Sequence, residues 1–403
     1  MVVTVTGQIL ALAGLVLLAA LLQRTTRLEL TLACVATGFL AGLAIPYVGF
    51  DTGIRAYNLQ DIVFFIILPV LVFEAAWHIR PALLRRWLPP VLLLATAGVL
   101  LSCFVCAAIV YFGIAHPQGF PWSAALLTGA ILAATDPIAV INQLRAQKAA
   151  PALTTIFEGE SLFNDASAVV LFALFLSLAL DGGSTTLAGQ LAQFAIVFFG
   201  GIVFGILAGA LLAGIARFLA RPATTPIVLL FAAFGSFYVA EHLLHVSGIM
   251  AVMFAALVMR WRLAQGEGTL DARVSHLWEW LAELFTAILF VVMGLTITVG
   301  MFTSQWLAML IAIGAALVAR ACAVGLCGLA VYPLKSRLPM GWQVLLVWGG
   351  LRGAIAVALV LALPVRLEYW YTVQSMVFGV VLFSLLVQGT TNAGLVRRYG
   401  SGQ

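Results

Sequence analysis

Residues 157 to 170 read Phe157-Glu158-Gly159-Glu160-Ser161-Leu162-Phe163-Asn164-Asp165-Ala166-Ser167-Ala168-Val169-Val170, three carboxylates, two hydroxyls and a carboxamide in a segment that continues apolar to Leu180. At about 3.6 residues per turn, Glu158, Ser161 and Asp165 share one helix face, and Glu160 and Asn164 form an i, i+4 pair about a quarter turn away. A charged group at bilayer depth costs roughly 2.5–3.5 kcal/mol on the insertion scale, so such residues face a cavity or a partner and mark an ion or proton path. The surrounding chain must therefore supply a membrane bundle with a polar centre, and Asp165 is the residue around which that centre is read.

The composition requires the membrane. Of 403 residues 64% are hydrophobic and 9% charged, with a mean hydropathy of +1.13, whereas a soluble globule carries about 25% charged residues. Apolar runs of 17 to 30 residues recur, without the roughly ten-residue alternation of a transmembrane barrel. The fold class is an all-α polytopic membrane protein of about 13 spans, at 7–22, 29–45, 61–78, 89–112, 122–141, 152–180, 187–216, 225–241, 246–261, 274–297, 304–331, 340–363 and 370–394. The first has no basic flank before it and carries Arg24 and Arg27 after it, which suits an uncleaved span better than a signal peptide. All five cysteines lie in apolar runs and read as small packing residues.

The basic residues fix the topology. After odd-numbered spans come Arg24, Arg27, Arg80, Arg85, Arg86, Arg145, Lys148, Arg217, Arg221, Arg260, Arg262, Arg273, Lys335, Arg337, Arg397 and Arg398; after even-numbered spans come only Arg55 and Arg366. A split of 16 against 2 places the odd connections and the C-terminus in the cytoplasm and the N-terminus outside. The pI of 9.1 therefore reflects the cytoplasmic face and implies no nucleic-acid partner.

Two spans are interrupted. Thr135-Asp136-Pro137 breaks the fifth, because proline lacks a backbone donor and disfavours helix at the residue before it; Asp136 is then expected as N-cap and Pro137 as the first residue of a new half-helix. Gly349-Gly350-Leu351-Arg352-Gly353 breaks the twelfth. Seven spans apart, the two run in opposite directions, which predicts inverted repeats of spans four to six and eleven to thirteen, with broken helices crossing near the midplane. Gly201, Gly205 and Gly209 in the seventh span are spaced for close helix packing, and Trp278 with Trp280 fits an interfacial belt at the start of the tenth.

The intramembrane charges are Glu74, Asp136, Glu158, Glu160, Asp165, Arg320 and Arg352. At roughly 3 kcal/mol each they must be paired, protonated or occupied by a cation, and the surplus of acids selects for cations. By depth, Glu160 is the partner expected for Arg320, Arg352 serves carbonyls at a half-helix C-terminus, and Asp136 serves the half-helix N-termini. Asn164 reads as a hydrogen-bonder to backbone, and Glu158 is near enough to the cytoplasmic end to face water. Asp165, with Glu74 and Asp136, keeps a charge that is not committed to structure. A proton and a metal ion would compete for it, with the Ser161 hydroxyl and the Thr135 carbonyl supplying neutral oxygens suited to a hard cation. Glu74, near a cytoplasmic helix end, also reads as a funnel residue. A channel lacks a reason for inverted repeats, and a serine protease lacks a base, because His78, His116, His242, His245 and His276 fall at helix ends or loops.

These motifs, with Leu71-Val72-Phe73-Glu74, resemble those of the NhaP-type sodium/proton antiporters of the first cation/proton antiporter family, which includes the eukaryotic sodium/proton exchangers. The resemblance implies that Asp165 is the shared proton and cation carboxylate, that Glu74, Asp136, Ser161 and the Thr135 carbonyl complete the Na+ site, and that Glu160 pairs with Arg320. It implies Na+ or Li+ exchanged for H+ without a cofactor, with K+/H+ exchange as the alternative, in the service of pH homeostasis and salt tolerance. The Asn164-Asp165 dyad resembles the electroneutral one-for-one branch. A homodimer is implied, with scaffold and dimerisation helices in 1–85 and 181–303 and a moving core in 86–180 and 304–403. The chain stops soon after its last span, unlike the eukaryotic exchangers, so a prokaryotic plasma membrane is expected.

Overall fold

A computed structural model describes residues 2–48, 62–79, 81–114, 119–181, 187–219, 224–263, 269–333 and 338–400. Arg55, Arg80, His116, Arg221, Lys335 and Arg337 lie outside the described residues. The described residues are helical and contain no strand. Thirteen helical units follow in chain order. They are α1 Val2–Thr26, α2 Leu30–Val48, α3 Val63–His78, and α4 Arg85–Gly113, whose first turn begins at Pro81. Next come α5a Trp122–Ala133, α5b Ile138–Ala146, α6 Pro151–Asp181, α7 Leu187–Leu219, α8 Thr225–Leu243 and α9 Gly248–Leu263. The chain ends with α10 Thr269–Thr296, a short helix Val299–Ser304, α11 Trp306–Val331, α12a Met340–Trp348, α12b Ala354–Leu361 and α13 Trp370–Tyr399.

Among the described residues, nine of these units are long and apolar enough to span a membrane by length and composition. Of the other four, α12 is cut by its glycines, and α3 and α9 have 16 residues each.

Two sets of neighbours organise the bundle. α4 packs on α5a and α11, α5a on α6, and α11 on α13, while α2 packs on α10, α7 on α9, and α3 on both α9 and α10. The small-residue spacing in α7 sets the α7–α9 contact. A Cβ added at Gly201 would lie 2.5 Å from Ser247 O and one at Gly209 2.6 Å from Ala255 O, with Gly205 equally tight against Ala251 O. Backbone meets backbone there, as in other membrane helix pairs with small residues four apart.

One expectation fails in this region. Trp278 is fully buried, its ring stacked on Phe73 with centroids 4.3 Å apart, and only Trp280 is exposed. α10 packs on α3 through the side that carries Trp278, and Trp280, about 200° further round the helix, is left exposed.

Crossed half-helices and the candidate ion site

Both breaks fall where the sequence places them, and they are tied to each other. Asp136 N–H donates to Leu351 O at 2.8 Å, and the Asp136 carboxylate accepts from Ile138 N–H at 3.1 Å and from Ala354 N–H at 3.4 Å. One acid thus serves the first turn of both α5b and α12b, where unpaired donors and the positive end of the helix dipole favour an anion. The cap register differs from expectation by one residue. Pro137 occupies the N-cap position and α5b begins at Ile138. Asp136 is held back by its bond to Leu351 and reaches Ile138 through an Asx-type turn instead. Gly353 has no substitute in this crossing, because a Cβ there would fall on the Asp136 carboxylate.

Beside the crossing, the polar helix α6 divides as its two faces predict. Glu160, 1% exposed, takes both ends of the Arg320 guanidinium at 2.9 Å each, and Arg320 Nε donates to Leu346 O at 3.1 Å, so one cation neutralises α6 and the last turn of α12a together. Asn164 is fully buried. Its amide donates to Glu160 Oε1 at 2.8 Å and Thr135 Oγ1 at 2.7 Å, and its carbonyl accepts from Thr135 N–H at 3.2 Å. It is therefore a backbone hydrogen-bonder, as expected, acting across to the broken helix. Arg352 donates to Gly350 O at 2.7 Å, beyond the end of α12a, again as its charge suggests.

On the other face, Ser161 Oγ donates to Thr135 O, the carbonyl exposed by the break, and lies 3.4 Å from Asp165 Oδ2. Asp165 Oδ1 is buried and has no hydrogen-bond partner. A carboxylate with one free oxygen thus adjoins, through its other oxygen, a hydroxyl that is bonded to a peptide carbonyl, and these oxygens are of the kind that suits a small hard cation or a proton.

Two acids have partners that the sequence reading did not name. Glu158 does not simply face water, since Arg145 from the end of α5b pairs with it at 2.8 Å. Glu74 has a partner on its own helix. Its carboxylate pairs with His78 Nδ1 at 3.1 Å, and His78 Nε2 meets Glu279 of α10 at 2.9 Å. Among the described residues no three acidic, histidine or cysteine side chains form a metal-sized group. Proximity along α3 explains the Glu74 contact: a residue one turn toward the helix end is the nearest available cation.

Two polar neighbours of the break in α12 escaped the sequence reading. Ser384 Oγ accepts from Arg352 N–H at 3.3 Å and donates to Gln388 Oε1 at 2.8 Å, and Gln388 Nε2 donates to Trp348 O at 2.9 Å. They lie in a widened, π-type turn of α13 that aims both toward the break in α12. A Ser and a Gln four apart in an apolar span were the available signal. With both arginines they line a small cavity of about 10 Å3, room for roughly one water.

Half-helices of opposite direction, crossing beside buried charges inside a helical bundle, define a membrane transporter of the broken-helix, inverted-repeat class. The profile of the family described as sodium/hydrogen exchanger, transmembrane, matches residues 11–398, and the chain belongs to that family. It is 34% identical to the Na+/H+ antiporter ApNhaP of Aphanothece halophytica over 368 residues, which cover 90% of this chain and 68% of the relative. The Na+/H+ antiporter NhaP of Pseudomonas aeruginosa is also 34% identical, over 87% of this chain and 84% of its own. The solved structure of the sodium proton antiporter MjNhaP1 from Methanocaldococcus jannaschii at pH 8 superposes with a TM-score of 0.83 at 21% identity, covering 99% of this chain and all of that one, and so has the same fold.

Proposed function

We propose that the protein exchanges Na+, or Li+, for H+ across a prokaryotic plasma membrane, one for one, by alternating access with cation and proton competing for Asp165. The observation that carries this reading is the buried Asp165 carboxylate, whose Oδ1 has no hydrogen-bond partner and whose Oδ2 lies beside Ser161 Oγ, itself bonded to the Thr135 carbonyl. The relatives' names, Na+/H+ antiporters, point to the same ion pair.

Charge balance supports the stoichiometry. Asp136, Glu160 and Asp165 face Arg320 and Arg352, so the ionised centre carries one uncompensated negative charge. One Na+ or one H+ cancels it. A loaded centre of either kind is neutral and crosses an apolar barrier at low cost, while the empty centre does not. In this scheme Ser161 and Thr135 contribute neutral ligands, and Glu74, held by His78, receives ions at the cytoplasmic mouth. Asp136, Asn164, Glu160, Arg320 and Arg352 hold the crossing rigid around them, and Glu158 with Arg145 anchors the cytoplasmic end of α6. α4–α6 with α11–α13 form the moving core, the remaining helices form the scaffold of a homodimer, and the N-terminus lies outside with the C-terminus in the cytoplasm.

The test is proton flux in proteoliposomes under an imposed pH gradient, with Na+, Li+ or K+ added in turn, with and without an ionophore that clamps the voltage. Flux triggered by Na+ and Li+ and indifferent to the clamp is expected. Flux that stalls without the clamp would refute one-for-one exchange, and K+ as the best substrate would replace the assigned cation.

A further inference from the structure

A groove of about 710 Å3 lies between α11, α12a and the last turns of α13. Its volume falls within the roughly 300–1,000 Å3 of small-ligand pockets. The polar side chains along it are engaged within the protein: Trp348 Nε1 donates to Thr391 Oγ1 and Gln343 Nε2 to Leu338 O, each at 2.9 Å. What remains is an apolar wall, so the groove suits a hydrocarbon rather than a polar solute.

Its two ends differ. Trp348 and Thr391 close one end, at the break in α12. At the other, Gly341 of α12a lies against Tyr399 of α13, with 3.0 Å between a Cβ built on Gly341 and the ring. There Met340 is 74% exposed, and Arg397 and Arg398 stand exposed in the last turn. The nine residues of α12a rise about 13 Å, close to the ~15 Å of one leaflet's hydrocarbon layer. Basic residues at the mouth of a leaflet-deep apolar groove complement a negative headgroup.

We infer that this groove is a binding site for an anionic phospholipid, one acyl chain lying along α12a and the phosphate at Arg397 and Arg398. The chain braces α12a, whose last turn accepts hydrogen bonds from Arg320 and Gln388. The lipid is thereby coupled to the half-helix beside the buried charges, whatever ion the centre carries.

Gly325 and Gly394 line the groove, and a Cβ at either meets nothing within 4 Å, so larger side chains can be introduced there without a clash at Cβ. The purified full-length protein would be delipidated, then titrated with phosphatidylglycerol or phosphatidylcholine, with bound lipid counted by native mass spectrometry and thermal stability followed in parallel. The wild type should retain phosphatidylglycerol and be stabilised by it. Gly325→Leu with Gly394→Leu should lose that adduct while keeping the lipid-free melting temperature, and Arg397→Ala with Arg398→Ala should lower the preference for phosphatidylglycerol by on the order of 30-fold at low salt. Equal retention of both lipids by the wild type, or an undiminished adduct in the glycine variant, would overturn the assignment. So would a lipid-free dimer that the glycine variant dissociates, which would assign the groove to a second copy of the chain.

Discussion

Glu160→Ala is the most informative perturbation of the buried network. It strands Arg320, 5% exposed, whose guanidinium has two of its contacts on the lost carboxylate, and it removes one partner of Asn164. Breaking a buried pair from one side costs about 3–5 kcal/mol, because the remaining charge is left unneutralised in a low-dielectric interior. At roughly 2 °C per kcal/mol, a slope taken from soluble domains, the melting temperature should fall by about 6–10 °C. The assay is thermal unfolding of purified protein followed by tryptophan fluorescence, with surviving protein tested for cation-triggered proton flux. The double variant Glu160→Leu, Arg320→Met replaces both charges with apolar groups and should recover much of the loss, since an ion pair removed whole carries no stranded charge. A single variant as stable as the wild type, or a double variant no better than the single, would refute the reasoning that this pair is the structural charge of the centre and Asp165 the working one.

Asp165→Asn should leave the melting temperature within a few degrees of wild type and abolish cation-dependent proton flux, because it removes the titrating group at constant shape; retained flux would end the proposed mechanism. If one proton competes with one cation, the apparent KM for Na+ should rise by about tenfold for each unit of falling pH on the acid side of the carboxylate's titration. A KM flat across that range would mean the two ions use separate sites. Gly353→Ala should cost about 1–3 kcal/mol and reduce transport, since its Cβ would displace the Asp136 carboxylate from both half-helix termini. An active, stable Gly353→Ala protein would show that the crossing tolerates more movement than its geometry suggests.

The fold was legible because membrane spans are written in long apolar runs and interrupted helices in Pro, Gly and misplaced charge. The thirteen units, both breaks and the Glu160–Arg320 pair needed only composition, parity and depth. The Gly201, Gly205 and Gly209 stripe was legible as packing because only a close approach explains glycine at that spacing inside a helix. The misses differ in cause. Trp278 and Glu158 with Arg145 depend on which side of a helix faces which neighbour, whereas Glu74 with His78 is an i, i+4 pair in one helix whose spacing was available in the sequence. Ser384 and Gln388 depend on a π-type turn, which rotates side chains by an amount no linear pattern records. The one-residue error at Asp136 arose because its amide is bonded to Leu351, more than 200 positions later in the chain.

The bonds at Asp136 also have a mechanical meaning. Its amide grips Leu351 and its carboxylate reaches Ala354, so the two interrupted helices are stitched through a single residue. Bonds of this kind resist sliding of one break past the other, so the pair should move as one plate rather than as two gates. In the proposed mechanism, a movement that presents Asp165 first to one side of the membrane and then to the other would carry both interrupted helices together. The compliance for that movement has to be sought at the rim of the plate, in the connections into α5a and out of α12b, and not at the crossing itself.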